Sequence, residues 1–184
     1  IETILHYAEA KNEGFIEKLY VMGCLSKRYA ESLRGEIPEV DGFFGVDDLR
    51  YVLHELNSAY YSGELFKRTL QTLPHYAYLK ISEGCNRNCA FCAIPSIRGK
   101  QKSLSIDELV KESEDLTSRG VKELLLIAQD ITTYGSDIYG VKKLPELLER
   151  LCRIPGTEWI RLHYAYPLAF PVNEVVALMK NFPN

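Results

Sequence analysis

Tyr76-Ala-Tyr-Leu-Lys-Ile-Ser-Glu-Gly-Cys85-Asn-Arg-Asn-Cys89-Ala-Phe-Cys92 decides how this chain is read. Tyr76 to Ser82 has the composition of a strand, and a loop carrying three thiols leaves its C-terminal end. Thiols four and three residues apart converge on one inorganic centre when such a loop folds back on itself. Gly84 and Gly99, on either side, let the backbone turn tightly. Soft thiolates at close range select zinc, copper(I) or an iron–sulfur cluster. A structural zinc site or an ordinary cluster wants a fourth protein ligand nearby. None is at hand: Cys152 lies far down the chain, and no histidine falls within or just after the loop. Three ligands where four are usual leave one coordination position open, which is how a catalytic metal site is built. From the residues alone, a three-cysteine zinc site, a disulfide pair and three unrelated cysteines stay open as alternatives.

Outward from this loop, the second part of the chain keeps a regular alternation. Ser105-Ile-Asp-Glu108 is a capping box that opens a helix running to about Arg119, with Gly120 as its C′ residue. Lys122 to Ala128 is the next strand, and its run Leu124 to Ala128 reads as buried. Leu144 to Leu151 is a helix, Trp159 to Tyr164 a strand, and Pro171 to about Lys180 another helix. Strands spaced by helices, with the chemistry at strand C-termini, describe a (β/α) barrel or part of one. Residues 74–184 hold three such units. Toward the N-terminus, Ile1 to Asn12 reads as a helix stopped by Gly14, and Leu19 to Met22 as a strand ending in Gly23-Cys24. Ser26 is placed to cap a helix that runs through Leu33 and closes before Pro38. Phe43 to Val46 is a brief strand, and Asp47 is placed to cap a helix with Leu49, Val52, Leu53 and Leu56 on one face. This is a small α/β unit with a mostly parallel sheet. The pattern weakens from Asn57 to Pro74, so residues 1–73 are read as a separate domain.

A hydrophobic content of 46% and a charged fraction of 26% are those of a globular protein. No apolar run approaches the ~20 residues that a membrane helix needs. The chain opens on Ile1, without an initiator methionine and in what reads as mid-helix, so it is expected to be a piece of a longer protein. Five cysteines, three of them clustered, point to a reducing, cytoplasmic compartment rather than a disulfide framework. A net charge of −3 gives no electrostatic case for nucleic acid as the main partner. Arg98, Lys100 and Lys102, just after the loop, read as a solvated rim.

The C-x3-C-x2-C spacing, with an aromatic just before the third cysteine, resembles the radical S-adenosylmethionine enzymes. That resemblance implies a 4Fe–4S cluster on Cys85, Cys89 and Cys92, its open iron taking the amino and carboxylate groups of S-adenosylmethionine. Reduction then yields a 5′-deoxyadenosyl radical that abstracts hydrogen from the substrate, while the protein binds, orients and excludes water. It also implies a partial barrel of about six βα units, of which this chain holds the first half. Val21-Met-Gly-Cys24-Leu-Ser and Glu39-Val-Asp-Gly-Phe-Phe-Gly45 resemble the N-terminal domain of one group of these enzymes, the methylthiotransferases. In that family a Gly-Cys supplies the third ligand of a second 4Fe–4S cluster. Cys24 is therefore the expected ligand, with its two partners upstream of Ile1. The implied fold class is α/β: the C-terminal part of a methylthiotransferase N-terminal domain (1–73), then the first half of a radical-SAM partial barrel (74–184).

Several further residues are candidates on this reading. Phe91 is expected to pack near the cluster and the adenine, a role compatible with plain core filling. Gln129 and Asp130 end the second strand, at the catalytic face of a barrel, and are placed to hydrogen-bond the cofactor. Arg161 and His163 alternate along the third strand and so share a face. Cys152, flanked by Leu151 and Ile154, reads as core. Two branches of the methylthiotransferases share the cysteine loop: one modifies an adenosine of transfer RNA, the other an aspartate of a small-subunit ribosomal protein. Ile94-Pro-Ser-Ile-Arg-Gly99, Ala128-Gln-Asp-Ile-Thr-Thr-Tyr-Gly135 and Trp159-Ile-Arg-Leu-His-Tyr-Ala-Tyr-Pro167 resemble the second. Ser103-Leu104 departs from it, since Ser-Arg is usual there. The expectation is β-methylthiolation of an aspartate in a ribosomal protein, with Arg98 and Arg161 as candidates to hold the substrate carboxylate. No side chain is assigned as acid or base, and the sulfur and electron donors are not named by the sequence. A non-catalytic iron–sulfur or zinc module is the reading from another class, and the missing fourth ligand argues against it. These 184 residues alone are expected to turn over little or not at all.

Overall fold

The computed structural model describes residues 1–46, 48–58 and 68–184, which form a mixed α/β protein with parallel sheets. In chain order the elements are α1 (Glu2–Asn12), β1 (Tyr20–Met22), α2 (Cys24–Glu36), β2 (Gly42–Phe44) and α3 (Leu49–Glu55). There follow β3 (Tyr76–Lys80), β4 (Ser82–Glu83), α4 (Ile94–Arg98), β5 (Lys102–Ser103), α5 (Ile106–Ser118) and β6 (Glu123–Ile127). The last are α6 (Ser136–Tyr139), α7 (Leu144–Cys152), β7 (Trp159–Leu162) and α8 (Val172–Asn181). Two compact units result: Ile1–Ser62 with Ala90–Arg98, and Gly63–Cys89 with Gly99–Asn184.

In the first unit, β1 and β2 pair in parallel with Val21 opposite Phe43. Ala8, Leu19, Leu33, Ile37, Val40 and Phe43 make its small core. Asp41 ties the unit together. Its carboxylate accepts from Lys11 Nζ (2.5 Å), the Leu19 amide (2.7 Å) and Lys18 Nζ (3.1 Å). The Lys11 bond, followed by the Leu19 amide, holds its pKa well below the usual carboxylate range. Two expectations need correction. The second helix begins at Cys24 rather than being capped by Ser26, whose hydroxyl donates to Val21 O at 3.2 Å. Gly23 takes the N-cap position at φ 139°, a conformation closed to side-chain-bearing residues, so the helix starts directly off the strand. The face expected to bury α3 is not buried: Leu49 is exposed, as is Leu56 just beyond the helix. The cap expected at Asp47 lies outside the described residues.

The second unit is built on the sheet β3-β6-β7, parallel throughout, with β6 in the centre. Leu79 lies opposite Leu126, and Leu126 opposite Leu162. Alternation along the strands sorts the side chains onto two faces. One face carries Ala77, Leu79, Ile81, Leu124, Leu126, Ile160 and Leu162, and packs against Leu109 and Leu116 of α5 and the leucines of α7. The other carries Tyr78, Leu125 and Arg161 in one row across the three strands. The capping box forms as expected: Ser105 Oγ accepts from the Glu108 amide at 3.3 Å, and Glu108 Oε2 accepts from the Ser105 amide at 2.9 Å. Cys152 is half-buried rather than core, since it ends α7 at the rim of a groove of about 250 Å³ shared with Ile160, Val175 and Phe182. Burial raises its thiol pKa all the same.

Candidate metal centre

The cysteine loop leaves the sheet through a short antiparallel pair, β4 with β5; Ser82, expected to end the first strand, belongs to β4 instead. Its two ends are tied together. The Cys85 amide donates to Gly99 O at 3.1 Å, and the Gln101 amide donates to Asn86 Oδ1 at 3.1 Å. Gly84 makes this closure possible. It sits at φ +78°, and a Cβ built there would fall 2.3 Å from Lys100 O, inside any permitted contact. Cys85 is half-buried, Cys89 and Cys92 are exposed, and all three are free thiols. Among the described residues, no three Cys, His, Asp or Glu side chains are gathered closely enough to hold a metal ion. The fit to a cluster is therefore one of donor chemistry: three soft thiols on a loop pinned at its base.

Between Cys85 and Cys89, the described residues form no backbone-to-backbone hydrogen bond. The loop is held instead through side chains, Asn86 at its base and Arg87 at its middle. Arg87 Nε donates to Asp130 Oδ2 at 2.5 Å, and Arg87 Nη2 donates to Thr132 Oγ1 at 3.2 Å. The guanidinium carbon lies 3.7 Å above the centre of the Tyr166 ring, a cation–π stack. Asp130 is only 4% exposed, and its other oxygen accepts from the Thr132 amide (2.9 Å) and hydroxyl (2.5 Å). Burial pushes its pKa upward. The Thr132 donors and the Arg87 guanidinium more than offset this and hold it below the ordinary carboxylate value. Thr133 and Gly135 grip the far side of the loop. Buried Gln101 donates to Thr133 O (3.0 Å) and accepts from Thr133 Oγ1 (2.5 Å), while the Gly135 amide donates to Ser103 Oγ (3.1 Å).

The remaining candidates are placed as follows. Gln129 follows β6, and its Oε1 is buried without a hydrogen-bond partner among the described residues; the same holds for Nε2 of His163 at the end of β7. Arg161 stands on the face of β7 away from the helices, its side chain 54% exposed and paired with Glu123 Oε1 at 2.6 Å. Phe91 is fully exposed, so core filling does not account for it. Lys100 and Lys102 are exposed, as a rim would be, but Arg98 is not a rim cation. It ends α4, and its Nη2 donates to Cys24 Sγ at 3.2 Å at the start of α2. Sequence reasoning missed Arg87, Thr132, Thr133, Gln101 and Tyr166 as site-forming residues. One signal was available for the first: Arg87 is the only charged residue between Cys85 and Cys92, and Asp130 is an acid at the end of the neighbouring strand.

A family model described as the Radical SAM superfamily matches residues 79–183. Among curated proteins, the chain is 52% identical over 184 residues to one from Phocaeicola vulgatus, covering all of this chain and 42% of that protein. It is 52% identical over 183 residues to one from Flavobacterium psychrophilum and 50% identical over 184 residues to one from Porphyromonas gingivalis, with the same coverage. Each of the three is named ribosomal protein uS12 methylthiotransferase RimO. The chain thus spans 42% of the length of the curated relatives it matches.

Proposed function

The chain belongs to the radical SAM superfamily, and from that premise we propose that it is part of a methylthiotransferase acting on ribosomal protein uS12. The observation that carries this reading is identity of 50–52% along the whole chain to proteins named for that activity. Residues 1–73 are then the latter part of a methylthiotransferase N-terminal domain, and residues 74–184 the first half of a partial (β/α) barrel. The order β3-β6-β7 supports the second assignment, because consecutive βα units lie side by side and in parallel.

Cys85, Cys89 and Cys92 would hold a 4Fe–4S cluster, and Cys24 one iron of a second cluster. When bound, a cluster with one iron open to S-adenosylmethionine supplies reductive cleavage of the sulfonium and so the power to break an unactivated C–H bond. The chain's own residues bind, orient and exclude water. Gln129 brings a buried acceptor to the C-terminal end of β6, where it would meet the cofactor. Phe91 offers an exposed ring beside Cys92, suited to cover the cofactor's adenine. Arg161 carries the cation that an aspartyl substrate requires, on the face of the sheet away from the helices. Arg98, engaged with the Cys24 thiol, serves the carboxylate less directly. The enzyme would work in the reducing cytoplasm.

The test is anaerobic reconstitution with iron and sulfide, followed by reduction with S-adenosylmethionine present. The chain should turn brown, and replacing any one of Cys85, Cys89 or Cys92 by Ala should abolish the colour. Tight zinc binding with no colour would overturn the cluster assignment. The full-length enzyme, given uS12 and transfer RNA side by side, should add a methylthio mass to the protein. A gain on the RNA with none on uS12 would overturn the substrate.

A further inference from the structure

The segment Asp130-Ile-Thr-Thr-Tyr-Gly135 does more here than end a strand. Its side chains and backbone engage the cysteine loop on both flanks, Asp130 and Thr132 through Arg87, Thr133 and Gly135 through Gln101 and Ser103. We infer that Arg87 is a positioning residue, locked by Asp130 and Thr132 and backed by Tyr166, that fixes where Cys85 and Cys89 stand. Asp130 then acts on the metal group through the loop rather than by touching it.

Three observations carry this. The loop between Cys85 and Cys89 has no backbone ladder of its own among the described residues, so its conformation depends on side-chain anchors: Asn86 at the base, on the Gln101 amide, and Arg87, which alone ties it to the segment after β6. Arg87 lies two residues from each of those cysteines, and its anchor reaches 43 residues along the chain to the segment that follows β6. The acceptor side is itself fixed: Asp130 and Thr132 are buried, and the Thr132 amide and hydroxyl hold the carboxylate in one orientation. A guanidinium gripped by two acceptors and stacked on a ring has little freedom left, and neither has the short backbone that carries it. The Cys85 thiol reports the same order, since it accepts from the Arg87 amide at 3.4 Å.

The identity of the bound group rests on the function proposed above; the positioning of the loop does not. The experiment therefore has one readout without metal and one with it. Asp130→Asn keeps the shape but turns an N–H donor or a neutral oxygen toward Arg87, and Arg87→Gln removes the fork from a side chain that is already partly exposed. In the metal-free chain, hydrogen exchange in a peptide covering 84–89 should quicken about tenfold in either variant, the factor expected for losing one charge-assisted bond. Exchange in a peptide covering 123–127 should stay unchanged. In the reconstituted chain, iron loss to a chelator should quicken in parallel. The double variant should be no faster than either single one, because both act through one contact. If Asp130→Asn does not fold, Arg87→Gln with Thr132→Val makes the same comparison. Unchanged exchange at 84–89, equal loosening of 123–127, or additive effects in the double variant would each overturn the inference. Coupled exchange in a chain that takes up no iron would leave the positioning standing and sink the cluster.

Discussion

Two glycines flanking the cysteine loop allow the cost of a close approach to be separated from the cost of a backbone conformation. Gly84 and Gly99 have nearly the same φ, +78° and +72°, so alanine at either pays a similar penalty for the left-handed region, about 1–2 kcal/mol. Alanine also restricts the unfolded chain, which returns about 0.4–1 kcal/mol at both positions. The surroundings differ. A Cβ at Gly99 meets nothing within 4 Å, whereas one at Gly84 lies 2.3 Å from Lys100 O, 2.7 Å from Lys100 C and 2.8 Å from Gly99 O. All three are backbone atoms, so the strands of the loop base must part. Parting them stretches the Cys85 N–Gly99 O and Gln101 N–Asn86 Oδ1 bonds, worth about 1 kcal/mol each. Gly99→Ala should therefore cost up to about 1.6 kcal/mol, and Gly84→Ala about 2–3.6 kcal/mol. Global stability cannot fall by more than the free energy of opening the loop base alone, so the assay pairs urea unfolding with amide exchange at Cys85 and Gln101. In Gly84→Ala those amides should lose protection even if the midpoint moves little; in Gly99→Ala they should keep it. Equal behaviour of the two variants would refute the steric argument.

Two more predictions concern α5. Ser105→Ala removes the arm of the capping box in which Oγ accepts from the Glu108 amide, leaves the Glu108 carboxylate on the backbone amide of residue 105, and should lower stability by about 1 kcal/mol, with helix fraying visible as faster exchange at residues 106–109. Glu112, 8% exposed, has its pKa raised chiefly by burial, which the Arg68 guanidinium 3.3 Å away only partly offsets. A carboxyl whose folded pKa lies above its unfolded value of 4.5 favours the folded state below that value and loses this contribution as pH rises through the folded pKa. The stability of Glu112→Gln relative to the parent should therefore improve from pH 4 toward pH 7, as read by urea unfolding at each pH; parallel curves would exclude this.

The parts of the fold that were legible in the sequence are those written in local chemistry. The helix after Ser105 announces itself by a reciprocal cap and a periodic apolar face, and it forms within a residue of where that pattern places it. The run Leu124 to Ala128 is apolar on consecutive residues because both faces of β6 are covered: Leu124 and Leu126 on one face and Leu125 on the other are all buried. Where a choice depended on distant partners, local preference misled. Ser26 is a good cap residue, but the helix starts at Cys24 because Gly23 bends the chain directly out of β1 and its amide is taken by Phe44 O. β4 and β5 are two residues each, and no propensity acts over so short a length; they exist because the loop base has to close.

The candidate site divides along the same line. Three cysteines at fixed spacing carry their chemistry in the sequence, since ligand type and count need no coordinates. What holds those cysteines in place does not show there, because the anchor and its acceptor are 43 residues apart and only the parallel pairing of β3 with β6 brings them together. Each strand ends at the same level, so the loop after β3 and the loop after β6 meet above the sheet as a matter of register. An acid that ends one strand then faces whatever cation the adjoining loop carries, and Arg87 is the one on offer. The same geometry explains why Gln129 and Asp130, neighbours in sequence, have different prospects. Asp130 spends both oxygens on Arg87 and Thr132, whereas Gln129 keeps a buried acceptor without a partner among the described residues. Of the two, Gln129 is the one with an acceptor left to offer a cofactor, and Asp130 the one that holds the cysteine loop.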